Sequence, residues 1–291
     1  MTVVGFDGSD MARAAVACAS RRLGHGDRLV AAHVVGVPPA LLESPYFESA
    51  LARARERGAR VLEEAKGALA RDAPAELRLV EGPPAHALVG LAREVGAAEI
   101  AVGSRGFGAL RAAGLGGTSH ALLHETDRPV LVVPRRAAGR ELRLATGAEQ
   151  GGTPAVVVGY DGSEGAAAAL EYATRRAEAL GGSLTAVCAF YAPHDWYGAP
   201  YYQLSLDEQE ERARELVRGL EERPDVETDV IMGPPVESLV RVAQARDAAE
   251  IVVGARGLGR FRAALGSVSH ELLHEADRPV VIVPRAPGGS P

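Results

Sequence analysis

The chain repeats itself once, and that repeat limits its architecture more than any other feature. VVGFDGS at Val3–Ser9 returns as VVGYDGS at Val157–Ser163, GSRGFG from Gly103 returns as GARGLG from Gly254, and DRPVLVVPR from Asp127 returns as DRPVVIVPR from Asp277. The offsets are 154, 151 and 150 positions (157 − 3, 254 − 103, 277 − 127), in one internal order. A chain of 291 residues suffices for one large domain or two ordinary ones. The repeat decides for two copies of a domain of about 135 residues. The expected boundaries are 1–136 for the first copy, 137–153 for a linker and 154–286 for the second. The charges and glycines around the linker, RRAAGRELRLATGAEQGGT, and its lack of periodicity predict an exposed connection. The Pro/Gly tail Ala286–Pro291 is expected to be disordered.

Within copy one, apolar runs alternate with helical patterns. TVVGFD, LVAAHVV, ELRLVEG, EIAVG and PVLVV read as strands. Helices are expected over Asp10–Leu23, Glu48–Ala70, Ala85–Val95 and Ser119–Glu125, and copy two keeps the order. Strands alternating with helices of this length mean parallel βαβ units with right-handed crossovers. Near-continuous aliphatic strands fit a sheet covered on both faces, so the fold class is α/β, two tandem doubly wound domains.

Composition narrows the function classes. A hydrophobic content of 47% with 24% charged residues is that of a globular protein. The net charge of −6 disfavours nucleic acid and anionic membranes as partners. No run approaches the roughly 18 apolar residues of a membrane helix, and no leader-like segment precedes the first strand, so a cytoplasmic location is expected. Cys18 and Cys188 read as buried small hydrophobes in a reducing compartment.

In an open parallel sheet, ligands sit beyond the carboxyl ends of strands where the winding direction reverses. Two such ends carry site-like residues: Asp7-Gly8-Ser9 after the first strand and Gly103-Ser104-Arg105-Gly106 after the fourth. Asp7 suits hydrogen bonds from a ribose or base, and the same triplet also suits a helix N-cap and turn. The glycine loop runs into a helix start, where unpaired N–H groups and a partial positive charge favour phosphate. The plain alternative for that loop is a surface turn. Both features recur in both copies.

Taken together, these residues resemble the universal stress proteins. Nucleotide-binding members of that family carry Gly-x2-Gly-x9-Gly-(Ser/Thr), an Asp after the first strand and a final VxVP-type strand. The resemblance covers nearly the whole chain. It implies a five-stranded parallel sheet per domain in a Rossmann-like, adenine nucleotide alpha hydrolase-like fold. It also implies binding of ATP or a related adenine nucleotide, with or without magnesium, and pairing of the two domains as an internal pseudo-dimer with further homodimerisation open. On that likeness Asp7 contacts ribose or adenine, with Gly5 beside it and Val34 facing the base. Val102, Gly103, Gly106, Gly116, Gly117, Thr118 and Ser119 then surround the ribose and phosphates. The matching residues in copy two are Gly159, Asp161, Ala189, Val253, Gly254, Gly257, Gly266, Ser267, Val268 and Ser269.

Each copy departs from the pattern in its own way. Copy one keeps nine residues between Gly106 and Gly116, but Gly117 replaces the Ser/Thr, leaving Thr118 and Ser119 as the nearest hydroxyls. Copy two keeps Gly266-Ser267 but has eight residues, Leu258–Leu265, in the loop. One residue fewer would shift the cradle by up to about 3 Å. Nucleotide is expected in copy one first and in copy two as well. Arg105 and Arg256, with Arg111 and Arg262 further along, are placed either to neutralise phosphate or as solvated loop charge.

His270-Glu271-Leu272-Leu273-His274 matches the zinc-protease pattern H-E-x-x-H. Its duplicate, His120-Ala121-Leu122-Leu123-His124, lacks the glutamate base, and no histidine follows His274 as a third ligand. Zinc is therefore not expected, and the pairs read as helix-surface or interface residues. His33 reads as a core-edge histidine or a border of the base pocket. The aromatic group His194, Asp195, Trp196, Tyr197, Tyr201 and Tyr202 suits a lid, an interface or packing within its loop.

Four functions compete on these residues. A nucleotide-binding stress regulator acting through conformation or partners leads. A slow ATPase or nucleotidyl-transfer enzyme lacks a P-loop lysine and a metal-binding carboxylate cluster. A nicotinamide dehydrogenase lacks G-x-G-x-x-G after the first strand. A nucleotide-free interaction scaffold is kept open by the departures in the two loops.

Overall fold

The computed structural model describes residues 1–24, 26–36, 44–106, 116–145, 154–191, 202–257 and 265–284. The chain divides into two compact units, one built on Met1–Gln150 and the other on Gly151–Glu275 with Val280–Pro291.

The first unit runs β1 (Thr2–Gly5), α1 (Asp10–Arg21), β2 (Leu29–Val35), α2 (Phe47–Glu63) with a 3-10 turn over Glu64–Ala68, β3 (Ala75–Glu81), α3 (Pro84–Glu94), β4 (Glu99–Gly103), α4 (Gly117–Glu125) and β5 (Val130–Val133). All ladders are parallel, in the order β3-β2-β1-β4-β5. The winding therefore reverses at β1, whose neighbours are β2 on one side and β4 on the other. β4 and β5 are buried along their whole length because helices cover both faces, which is why they are unbroken aliphatic runs. Each fully buried Ile100 or Leu131 contributes about 1.5–3 kcal/mol relative to exposure.

The segment expected to be an exposed linker is partly a helix, α5 (Ala138–Ala145). It packs on α1 rather than lying in solvent, with Ala137 and Ala138 buried and Glu141 1% exposed. Arg21 of α1 pairs with the Glu141 carboxylate. Ala138 and Glu141 lie three positions apart on one face of this short helix, and both are buried.

The second unit repeats the plan: β6 (Ala155–Gly159), α6 (Glu164–Leu180), β7 (Ser183–Phe190), α7 (Tyr202–Glu221), β8 (Glu227–Met232), α8 (Pro235–Ala245), β9 (Glu250–Gly254), α9 (Ser267–Glu275) and β10 (Val280–Val283). Its ladders are parallel in the order β8-β7-β6-β9-β10. The far strands are blunted by charge. Arg78 on β3 pairs with Glu76 and Glu94, and Arg246 pairs with Glu227 and Asp229 on β8.

Each copy closes the amino-terminal end of its fourth strand with a buried ion pair. Arg22 meets Glu99 at 2.9 Å, and the equivalent Arg176 meets Glu250 at 3.4 Å. The helix–strand contact above it depends on small residues. A Cβ on Gly103 would stand 2.5 Å from Met11 Cβ and 2.7 Å from its carbonyl carbon. A Cβ on Gly254 would stand 2.6 Å from the Gly165 carbonyl carbon. α1 and α6 can approach β4 and β9 this closely only because both strand ends are glycine.

Candidate functional site

At the reversal point of the first unit, the chain leaves β1 through Phe6, whose N–H donates to the Ala32 carbonyl at 2.8 Å. Gly8 turns at φ +86, a left-handed conformation that favours glycine. Ser9 then caps α1, its hydroxyl accepting from Ala12 N–H at 3.2 Å. Asp7 Oδ1 accepts from Ser9 N–H at 3.0 Å and from Ser9 Oγ at 2.6 Å. Copy two builds the same turn: Gly162 at φ +76, Ser163 capping through Ala166 N–H, and Asp161 Oδ1 accepting from Ser163 N–H at 3.0 Å. The capping role weighed from the sequence is thus present, contributing about 1 kcal/mol per cap. It leaves the second carboxylate oxygen directed across the strand ends toward the glycine loop.

That oxygen meets Gly106. A Cβ there would overlap Asp7 Oδ2, and a Cβ on Gly257 would overlap Asp161 Oδ2. After the loop the chain returns at Gly116, whose N–H donates to the Ser104 carbonyl at 2.8 Å; Gly266 donates to the Ala255 carbonyl at 2.7 Å. These bonds revise two expectations. The Gly116 and Gly266 amides are engaged within the protein, so the N–H groups left for an anion are those of the next turn, Gly117 to Ser119 and Ser267 to Ser269. The loop that is one residue shorter also returns to the equivalent carbonyl, so the shift of about 3 Å is not found at the loop ends. Residues 258–264 lie outside the described residues.

The serines behind these turns face inward. Ser119 Oγ donates to the Gly103 carbonyl at 2.8 Å. Ser269 Oγ bonds the Ala255 and Gly266 carbonyls at 3.1 and 3.0 Å. Both are buried and tie α4 and α9 to the strand ends, so Thr118 and Ser267 are the exposed hydroxyls nearest the cleft.

A cleft of about 320 Å3 opens between these elements, lined by Gly5, Asp7, Val34, Val102, Gly103, Arg105, Gly106, Gly116, Gly117, Thr118 and Ser119. The second unit has a cleft of about 580 Å3 lined by Gly159, Asp161, Ala189, Val253, Gly254, Arg256, Gly257, Gly266, Ser267, Val268 and Ser269. The eleven residues named above in each copy, all singled out from the sequence, line that copy's cleft. Both volumes lie in the range of small-molecule sites.

The universal stress protein family model matches residues 2–134 and again 153–284. The chain belongs to the universal stress protein family. A universal stress protein of Mycobacterium tuberculosis is 30% identical over 324 residues, spanning 98% of this chain and 96% of its own. One from Thermus aquaticus is 37% identical over 132 residues, 45% of this chain and 96% of its own, as expected for a single copy. The solved structure of a universal stress protein from Archaeoglobus fulgidus shares the fold, with a TM-score of 0.63 at 21% identity, covering 99% of this chain and 97% of that one.

Several lining residues of this tandem universal stress protein were not singled out from the sequence. Leu88 of α3 and Leu239 of α8 form the apolar wall beside Gly5 and Gly159, where an added Cβ would come within 2.9 and 3.3 Å of them. The signal was available: Gly82-Pro83-Pro84 repeats as Gly233-Pro234-Pro235, and each second proline opens one of these helices at the cleft. His33 borders the cleft, and its Nδ1 bonds the Phe6 carbonyl at 2.8 Å, so it is both core-edge and cleft residue. Its counterpart Cys188 is buried, and burial together with the Asp161 charge raises its thiol pKa.

Arg105 and Arg256 reach their clefts, whereas Arg111, Arg262 and the aromatic group His194 to Tyr201 lie outside the described residues. So do 37–43 and the Pro/Gly tail. Among the described residues no three His, Cys, Asp or Glu side chains gather to hold a metal, and no helix is long and apolar enough to cross a membrane.

Proposed function

We propose that this universal stress protein binds an adenine nucleotide, ATP or a close relative, in each strand-end cleft and acts as a stress-response regulator through conformation or partners. The contact between Asp7 and Gly106 carries the reading. It sets an acceptor for ribose or adenine donors at one strand end against a glycine-lined entry to a helix start at the other. The fit is chemical as well as spatial. The α4 N-cap, Gly116, has no side chain to satisfy the first-turn amides, so Gly117 and Thr118 present N–H groups to an anion. Val34 and Leu88 offer an apolar surface to a base, and Arg105 adds charge for phosphate. In copy two the same parts are Asp161, Gly257, Ala189, Leu239, Arg256 and the Ser267 turn. Pairing of the two copies as a pseudo-dimer, further dimerisation and a cytoplasmic location belong to the same proposal and rest on family likeness. Residues 1–136 and 154–286 are its proposed domains.

The test is to identify and count nucleotide released from the purified, denatured protein by mass spectrometry, then titrate the emptied chain with ATP. Two equivalents, one lost in Asp7→Ala and the other in Asp161→Ala, are expected. A single equivalent that survives Asp7→Ala would reverse the preference for copy one. No released nucleotide and no titration signal would leave an interaction scaffold.

A further inference from the structure

The clefts leave one repeated feature of α4 and α9 unused. Each helix places two histidines four positions apart, His120 with His124 and His270 with His274, together half of the eight histidines in the chain. Residues at i and i+4 share a helix face. The intervening leucine pairs, Leu122-Leu123 and Leu272-Leu273, are buried against the sheet. The imidazoles are thereby turned outward: His120, His124 and His270 are exposed and His274 is half-buried.

The ring geometry fits a shared ion. The His120 and His124 centroids lie 4.6 Å apart with planes tilted by 45°, and those of His270 and His274 lie 5.0 Å apart at 59°. Two imidazoles bound side by side to one first-row divalent ion, with metal–nitrogen bonds near 2.0–2.1 Å, set their centroids about 4.5–5.2 Å apart. Both pairs already stand at that separation, on a rigid helix.

A plainer account invokes the helix dipole, which favours a cation in the last turn. That explains His124 and His274. It does not explain His120 and His270, which lie in the first turns where a cation is disfavoured. Nor does propensity select them, since histidine is a weaker helix former than alanine, leucine or glutamate. Zinc-protease chemistry needs a third ligand and a base in both copies, and position 121 is alanine. What remains is a bidentate donor set without a catalytic apparatus.

We propose that each histidine pair is a two-nitrogen chelate for one borderline divalent transition-metal ion, of the Cu(II) or Ni(II) class that imidazole prefers, with water completing the coordination. The site is separate from the nucleotide clefts and does not depend on them. Carboxylates adjacent in sequence add negative charge near each pair: Glu125 follows His124, and Glu271 and Glu275 follow His270 and His274.

The test is titration of the full chain with Cu(II) in a non-chelating buffer, read by electron paramagnetic resonance for nitrogen coupling and by competition with Ni(II). Two equivalents with a two-imidazole signature are expected. His124→Lys keeps a cation in the last helical turn and should remove one equivalent. The double variant His124→Lys/His274→Lys should remove both, with thermal melting confirming that the variants fold. No imidazole-coordinated copper in the unmodified chain, or an unchanged count in the double variant, would overturn the proposal. Loss of both equivalents in the single variant His124→Lys would overturn the assignment of one ion per pair.

Discussion

Gly106 lies against the carboxylate of Asp7 so closely that a methyl group on Gly106 would overlap Oδ2, and Gly257 stands in the same relation to Asp161. The contact joins the ends of β1 and β4, the two strands between which the sheet changes direction. One glycine thus serves the position of an acidic side chain, not a left-handed turn.

Gly106→Ala should displace the Asp7 carboxylate and weaken ATP binding at the first cleft by 10-fold or more, about 1.4 kcal/mol. The melting temperature should move by only a few degrees, because the residue sits at the cleft rim. Calorimetric titration of Gly106→Ala, Asp7→Ala and the double variant checks this. The two losses should be less than additive, since both act on one carboxylate; full additivity would separate Gly106 from Asp7.

Gly103→Ala should act on stability. The new methyl would meet Met11 Cβ at 2.5 Å and the Met11 backbone at 2.7 Å, so α1 must move off β4. Overpacking of this kind costs about 1–3 kcal/mol. Met11→Ala should not rescue the variant, because the obstructing atoms are Cβ and main chain. Urea unfolding of the single and double variants is the measurement, and a rescue by Met11→Ala would contradict the packing.

Glu99→Ala should take from the Arg22 guanidinium the carboxylate it meets at 2.9 Å, in a site where both side chains are only 9% exposed. Loss of one partner of a buried pair costs about 3–5 kcal/mol. Glu250→Ala should do the same in the second copy through Arg176. Denaturant midpoints for the two variants, compared with the exposed-pair control Glu63→Ala, would show whether burial sets the size of the effect.

Cys18 predicts a fall in stability at high pH. Burial first, and the Glu141 charge second, hold its thiol well above the ordinary value of 9.0 in the folded state. Below about pH 9 both states keep the proton and the group is silent. As pH rises past the unfolded thiol's pKa, only the unfolded chain ionises, so stability drops until the folded pKa is reached. Cys188, raised by burial and Asp161, adds to the slope. The Cys18→Ala/Cys188→Ala variant should flatten that limb of the stability–pH curve, and thiol reagents should label the native chain only as it unfolds.

Much of this protein was legible in its sequence. The twofold repeat, the alternation of strand and helix and the two strand ends at the reversal point follow from local pattern, because apolar periodicity and turn residues act over a few positions. The eleven residues singled out per copy gather at one cleft for the same reason: each flanks a strand end, and parallel strands deliver their ends to one side. Tertiary structure alone decided what those residues touch. Gly103 lines the cleft and also lies against Met11, the Gly116 amide belongs to Ser104, and the stretch expected to be a linker folds into a helix around a buried Glu141. Leu88 and Leu239 were missed because an apolar helix residue reads as core whether it faces a sheet or a cavity. These are contacts between segments far apart in the chain, set by how closely backbones approach, and spacing along a sequence carries no measure of that distance.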